Sequence, residues 1–411
     1  MTERHEIEIA RLGAQADGIA DRDGAPLYVA GCLPGERVTV DFDGERGRLV
    51  AVKVPSPDRI TPPCPHFGAC GGCAAQHMSP ALYAGWKRGL LATAFQHRGL
   101  DVKLEDTIAI GPGRRRRATF AARRAGEKIR LGFHEEGSHT LVDLAVCPVM
   151  LPVIESALPA LRAIAAVVAT GNDTIRLSVT ATSVGLDLVL SGVAGRLTVG
   201  QQGAVAQIAQ AHGIDRVTSN GDIVMQQRRP RIAIGGVDIL LPPGAFIQAT
   251  AEAEAAISAV LADATRKSKR IADLFCGLGT FTFGLARRAR VLALDTEATA
   301  IAVLADAAKA TPGIKSVETR VRDLLREPLS RLELADFDAV VFDPPRAGAK
   351  AQAETLARSK VPVVCAVSCN PATLARDCRI LVDAGYSIER IVPIDQFVWS
   401  PHIEAVAVLR R

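Results

Sequence analysis

From about residue 246 to the carboxyl terminus, apolar runs of strand length alternate with stretches of helical period, an alternation that leaves few folds open. Ile271 to Phe275 reads as a strand, a glycine turn follows, and helical spacing runs to Arg288; Val291 to Asp295 is the next strand, with a helix to Ala310. Ala339 to Phe342, a helix near Ala351 to Arg358, Val361 to Val367, a helix to Ala384 and two closing strands complete the series. Strands joined through helices need crossover connections, so the pattern predicts an α/β fold with a Rossmann-like, doubly wound sheet over residues 246–411.

The rest of the chain follows other periods. Residues 1–58 alternate apolar and polar positions, as in Glu6-Ile7-Glu8-Ile9 and Arg37-Val38-Thr39-Val40-Asp41-Phe42, with glycines between the runs. That is the period of short antiparallel strands with tight turns, as in a small β-barrel. Pro55, Pro57, Pro62 and Pro63 mark a linker, and residues 59–245 read as a central α+β domain with a helix near Leu82 to Arg98 and strands such as Arg176 to Val179 and Leu186 to Leu190. A chain of 411 residues with 48% hydrophobic content has material for three separate cores.

Met1 to Glu6 is charged and leads into no signal-peptide core, and no later segment is apolar for long enough to cross a bilayer, which predicts a cytoplasmic protein. Nine cysteines in a reducing compartment suit metal binding or catalysis better than disulfides. The net charge of +5 is unevenly placed: Arg114 to Arg117, Arg123, Arg124, Lys128 and Arg130 fall in one stretch with a single acid, Glu127, a candidate polyanion-binding surface.

Cys64, Cys70 and Cys73 lie close together on a loop made pliable by Gly68, Gly71 and Gly72, and Cys147 arrives much later, before Pro148. Four thiolates make a complete ligand set for either an iron–sulfur cluster or zinc, and the spacing alone leaves both open. A full set leaves no coordination position for substrate, which favours a structural or RNA-positioning role.

Asp273-Leu274-Phe275-Cys276-Gly277-Leu278-Gly279-Thr280 stands between a strand and a helix, where glycines let backbone approach a ligand at the carboxyl edge of the sheet. Asp295, at the end of the next strand, is at the distance where an acid meets a ribose diol, and Asp323 follows the strand Val317 to Val321. The third glycine of a dinucleotide fingerprint and a Walker lysine are both missing, so S-adenosylmethionine fits better than NAD or ATP. The plain alternative for each aspartate is a helix cap. Cys276, inside the turn, reads as a packing residue.

Phe342-Asp343-Pro344-Pro345-Arg346 follows one strand, Ser368-Cys369-Asn370-Pro371 the next, and His402-Ile403-Glu404 closes the chain's functional residues. A methyl donor alkylates C5 of uracil only after a nucleophile has added to C6, and a thiolate suits that addition. The C5 hydrogen must then leave to a base, for which a buried carboxylate with a raised pKa is apt. Cys369 and Glu404 are the candidates; Cys365, four residues upstream in the strand, reads as core.

With these motifs the chain resembles the bacterial RNA uracil-5-methyltransferases, and most closely the 23S ribosomal RNA type with an amino-terminal TRAM domain and an iron–sulfur cluster. The resemblance spans essentially the whole length and rests on C-x5-C-x2-C with Cys147-Pro148, Gly244-Ala245-Phe246-Ile247-Gln248, D-L-F-C-G-x-G, D-P-P-R, S-C-N-P and the closing H-x-E. It implies a 4Fe-4S cluster on Cys64, Cys70, Cys73 and Cys147. It implies an S-adenosyl-L-methionine site drawing on Gln248, Phe275, Thr280, Asp295, Asp323 and Asp343, with Cys369 as nucleophile and Glu404 as proton acceptor. The TRAM domain, an OB-like β-barrel, would hold RNA through its backbone.

The expected partner is RNA, 23S rRNA in the first instance, with no membrane and no obligate protein partner. An enzyme working on C5 and C6 must extrude its uridine from the stack. The basic stretch would neutralise phosphates, and Phe397 and Trp399 would stack on a base. Two other readings are the same chemistry on the T-loop of transfer RNA and, in a different class, a non-catalytic RNA-binding protein.

Overall fold

The computed structural model describes residues 4–22, 24–171 and 173–411. Met1, Thr2 and Glu3, at the start of the charged amino terminus, lie outside the described residues. Among the described residues no helix is long and apolar enough to cross a membrane.

Alternating residues early in the chain build a six-stranded sheet that closes over Ile9, Leu27, Val29, Val38 and Val40, with its longest pairing between Arg37–Asp43 and Arg46–Val54. Glu36, fully buried, accepts from the Leu33 and Ser56 amides and from Arg59, which fastens this sheet to the proline-rich segment that follows. A buried carboxylate needs such partners to remain charged, and they hold its pKa below the usual range against the opposing effect of burial.

The central region forms a seven-stranded sheet whose middle strands are Lys128–His134, Arg117–Ala125, Ile175–Ala181 and Leu186–Ser191. One face packs Phe120, Leu131, Leu177 and Leu188 against the helices Leu158–Val168 and Val199–Ala211. Period two puts the polar residues Thr119, Arg123, Arg130, Arg176 and Ser178 on the other face.

The carboxyl-terminal sheet has eight strands in the order Val317–Val321, Arg290–Asp295, Arg270–Leu274, Ala339–Phe342, Val363–Ser368, Glu404–Arg410, Ser387–Asp395 and Ile108–Ala109. The first five run parallel, Glu404–Arg410 inserts antiparallel, and the chain order reverses on either side of Arg270–Leu274. Ligands bind at the carboxyl ends of strands beside such a switch point. Helices cover both faces, and the strands Ala339–Phe342 and Val363–Ser368 are buried throughout, the pattern of a sheet enclosed on both sides.

Packing crosses the lines that composition suggests. The helix Pro80–Gln96 sends Leu91 and Phe95 into the core beneath Leu374, Leu381 and Leu409, and the hairpin Arg231–Ile234 with Val237–Leu240 packs in the core on the opposite face.

Candidate active site

The strand Arg270–Leu274 ends at Phe275, which takes the left-handed φ of 61°, a conformation sparsely populated by residues with a side chain. Gly279 follows with φ of 90°, where a Cβ would come within 2.5 Å of Leu304 and 3.0 Å of Phe283. Only glycine lets the turn pack this tightly on the helices beneath it, and the turn's upper side is left open to a cavity of about 1460 Å³. Cys276, in the same turn, is buried and packs in the core.

Gln248, Phe275, Thr280, Asp295, Asp323 and Asp343 all line that cavity. Their hydrogen bonds separate two kinds of residue. Asp295 accepts from the amides of Gly277 at 2.8 Å and Glu297 at 3.0 Å, so it fixes the glycine turn as well as facing the cavity. Asp323 accepts from the amides of Leu325 and Arg326 and so also caps its own turn. Asp343, by contrast, is linked to another cavity residue, accepting from Gln248 Nε2 at 2.9 Å. Burial pushes its carboxyl up to about 7.

The Ser-Cys-Asn-Pro segment is a strand-to-helix corner. Asn370 caps the helix Pro371–Asp383 by accepting from the Ala372 amide, Pro371 supplies the first helical φ, and Ser368 Oγ accepts from the Asn370 amide. Asn370 Nδ2 also donates to the Arg346 carbonyl at 3.0 Å, which binds this corner to the Asp-Pro-Pro-Arg loop. Cys369, between these anchors, faces the same cavity. Burial, and then the nearby Glu404 and Asp343, push its thiol up to about 11, while Arg346 acts in the opposite sense.

Glu404 begins the inserted antiparallel strand and is 3% exposed, yet it lines the cavity. Its Oε2 accepts from Gln396 Nε2 at 2.8 Å, and its Oε1 has no hydrogen-bond partner. Burial, reinforced by Asp343, raises its pKa to about 8. The Gln396 amide nitrogen also donates to Gln248 Oε1 at 3.0 Å. A chain of amides therefore runs from Asp343 through Gln248 and Gln396 to Glu404.

Gln396 and Lys87 have no place in the motif reading. Lys87 is 1% exposed, pairs with Asp395 at 2.8 Å, and donates to the carbonyls of Phe397, Ser400 and His402. Tyr83, one helical turn earlier, donates to Asp395 and accepts from the Trp399 amide at 2.9 Å. The helix thus holds the loop 395–402 by its backbone, with Trp399 at φ of 59°. Lys87 lies four residues from both Tyr83 and Leu91 on its helix, a spacing that puts it among apolar neighbours but does not by itself tell a buried lysine from a surface one. Of the aromatic residues expected to stack on a base, Phe397 lines the cavity and Trp399 does not.

The basic stretch is not one surface. Arg116 is buried in an ion pair with Glu254, Arg115 and Arg117 line the cavity, Arg114 pairs with Glu252, and Arg124 donates to the Ala166 carbonyl near the end of a helix. Arg123, Lys128 and Arg130 remain exposed. Successive residues on a strand point to opposite faces, so a run of arginines divides between core and solvent.

Cys64, Cys70, Cys73 and Cys147 are each half-buried and line one end of the same cavity. Burial and then the other three sulfurs push Cys73 up to about 12, a sign that the four are near neighbours. Gly71 makes the loop possible, since a Cβ there would meet backbone of His134 and Glu136 at 2.9 Å. Among the described residues no group of three or more His, Cys, Asp or Glu side chains is arranged to hold a single metal ion.

Known proteins share this architecture. The profile of the family described as tRNA (Uracil-5-)-methyltransferase matches residues 239–411. An "uncharacterized RNA methyltransferase" of Brucella suis is 45% identical over 99% of this chain and 98% of its own length. The 23S rRNA (uracil(1939)-C(5))-methyltransferase RlmD of Chromohalobacter salexigens is 32% identical over 98% of this chain and 89% of its own. The crystal structure of Pyrococcus abyssi tRNA (uracil-54, C5)-methyltransferase in complex with S-adenosyl-L-homocysteine superposes with a TM-score of 0.75, at 24% identity, over 98% of this chain and all of that one. With its motifs gathered on one cavity and its whole length matched by such relatives, the chain belongs to the S-adenosylmethionine-dependent RNA uracil-5-methyltransferase family.

Proposed function

We propose that this enzyme methylates C5 of a uridine in 23S rRNA, with Cys369 as the nucleophile and Glu404 as the proton acceptor. The observation that carries the reading is that both line one cavity, and that the Glu404 carboxyl, buried there with one oxygen unpartnered among the described residues, has its pKa raised to about 8 by burial. Once its thiol has given its proton to solvent, the Cys369 thiolate adds through Sγ to C6 of the uracil, and the displaced electron pair of the C5–C6 bond makes C5 nucleophilic. When bound, S-adenosylmethionine supplies an electrophilic methyl for C5. Glu404 Oε1 then takes the C5 proton, the C5–C6 double bond re-forms, and the Cys369 thiolate leaves. Asp343 and Gln248 would position the donor beside Cys369, with Phe275, Thr280, Asp295 and Asp323 completing its site.

The ribosomal choice is supported by the 23S rRNA methyltransferase among the relatives, matched along nearly the whole chain. Mass-spectrometric mapping of 5-methyluridine in total RNA from a deletion strain tests it. One 23S rRNA position should lose its methyl group completely; a loss confined to transfer RNA would show that the target is the T-loop.

The six-stranded amino-terminal sheet would be the TRAM domain over residues 1–58, holding RNA, with residues 59–245 as the cluster-bearing domain and 246–411 as the methyltransferase domain, in a cytoplasmic enzyme. Cys64, Cys70, Cys73 and Cys147 would hold a 4Fe-4S cluster. Thiolates that bind separate irons ring a wider space than ligands of one ion, which suits four sulfurs spaced around one end of a cavity. Anaerobically purified protein should contain about four irons and four acid-labile sulfides per chain, and a Cys73→Ser variant should lose them. Stoichiometric zinc in their place would refute the cluster.

A further inference from the structure

The polar face of the seven-stranded sheet carries guanidinium groups from three separate strands. Arg123 stands directly opposite Arg130 across an antiparallel pair, and Arg176 stands opposite Ala121, two residues before Arg123 on the same face. All three are exposed, and among the described residues none makes a hydrogen bond or a close ion pair. Asp143 attracts Arg130 at longer range, but its carboxyl is committed to Arg162 and the Leu131 amide. Glu127, in the turn beside them, is exposed and bonded to neither. Like charges facing each other across a ladder are destabilising, and against this stands the longer-range attraction of Asp143 for Arg130.

This face is continuous with the active site. Arg117 and Thr119 occupy it on the same strand as Arg123, and both line the cavity that holds Cys369. Between the two ends stand the neutral Thr119 and Ser178, hydrogen-bonded to each other at 2.9 Å. At ~3.3 Å per residue the strand carries the face from Arg117 to Arg123 over roughly 20 Å. A stacked single strand rising ~3.4 Å per nucleotide covers that span in about six nucleotides, and an extended one in fewer.

We propose that the open sheet face formed by Arg123, Arg130 and Arg176 binds the phosphodiester backbone of the RNA flanking the target uridine, several nucleotides from the base held in the cavity. The proposal rests on the uridine-modifying role argued above and adds where the flanking strand lies. Phosphates remove the repulsion between the guanidinium groups, and a sheet face without aromatic residues gives grip without reading sequence. Arg176, some fifty positions from Arg123 in the chain, joins the set only through strand pairing.

Fluorescence anisotropy with labelled oligouridines, titrated against potassium chloride, tests this on the full-length protein. Lengthening the probe from about three to about twelve nucleotides should tighten binding to the parent at least about tenfold. An R123Q/R130Q/R176Q variant should lose most of that gain, and its slope of log affinity against log salt should shrink by about 2, at ~0.7 per phosphate. R123K/R130K/R176K should keep the slope. On the unaltered protein, the longer probe should protect the three arginines from phenylglyoxal, read by mass spectrometry. Unchanged affinity and slope in the glutamine variant, or equal labelling with and without RNA, overturns the proposal. Failure of the uridine-modifying role is read separately, as absence of a Cys369 adduct when the parent meets RNA containing 5-fluorouridine.

Discussion

A Cys369→Ala enzyme is expected to lose methylation by at least about 10³-fold, because without sulfur at C6 nothing makes C5 reactive toward the methyl donor. Alanine leaves the corner intact, since Asn370, Pro371 and Ser368 supply its caps and turn bonds. Binding of donor and RNA should therefore survive while turnover does not. RNA carrying 5-fluorouridine sharpens the result. Fluorine at C5 cannot leave to a base, so the parent should stall as a covalent protein–RNA species stable to denaturant, and the alanine variant should form none. Cys365 and Cys378 are fully buried in the cores on either side of the sheet, and their replacement should leave the adduct in place. A Cys369→Ala enzyme that still methylated at the parental rate would remove the thiol from the chemistry. The resting thiol adds a further mark: raised to about 11, it should be alkylated slowly by iodoacetamide in the free enzyme at neutral pH.

Which parts of this site could be read from the sequence follows from how each is built. The Ser-Cys-Asn-Pro and Asp-Pro-Pro-Arg segments are strand-end turns whose caps and prolines are local, so a few contiguous residues carry the signal. Strand and helix alternation is equally local. The supports of the loop 395–402 are not: Lys87 meets the Phe397 carbonyl across 310 positions, and a buried lysine looks like any surface lysine until its partners are known. Ile108–Ala109 joins the edge of the main sheet with two residues, too few to show a period. The arginine run was legible as charge but not as geometry. Its members alternate across the strand Arg117–Ala125 and its lead-in, so one became a buried partner of Glu254, two turned to the cavity, and one continued onto the open face. Asp295 and Asp323 show the opposite case, since each accepts from backbone amides of a turn, close to the plain expectation of a cap, and also lines the cavity.

Glu404→Gln is expected to separate attack from release. Gln396 Nε2 donates to the Oε2 position, so the new amide must turn its oxygen toward Gln396, leaving its NH2 group at the position of Oε1, which has no hydrogen-bond partner among the described residues. Shape and the amide chain to Asp343 are kept, but a donor replaces the proton acceptor. Cys369 should still add and C5 should still be methylated, and with no base the methylated adduct should persist, visible as a slowly migrating protein–RNA band from ordinary uridine RNA. Turnover should fall by about 10²–10⁴-fold. In the parent, base and nucleophile both act ionised, so the rate should rise with pH through the region near 8, where the Glu404 carboxyl titrates, and continue upward as the Cys369 thiol ionises. Stability should move the opposite way. The folded state holds this proton more tightly than the unfolded chain, whose carboxyl titrates near 4.5, so the contribution is complete below that pH and is lost as pH rises through about 8. Asp343 titrates together with Glu404, whose pKa it raises, so the difference between the two proteins reports the Glu404 carboxyl and its effect on Asp343. Melting temperatures should therefore fall more steeply between pH 5 and pH 9 in the parent than in the glutamine variant, which should be the more stable enzyme at alkaline pH by about 1 °C per kcal/mol regained. Full turnover in the variant would exclude Glu404 as the base, and parallel melting curves would show that its carboxyl is not held protonated by the fold.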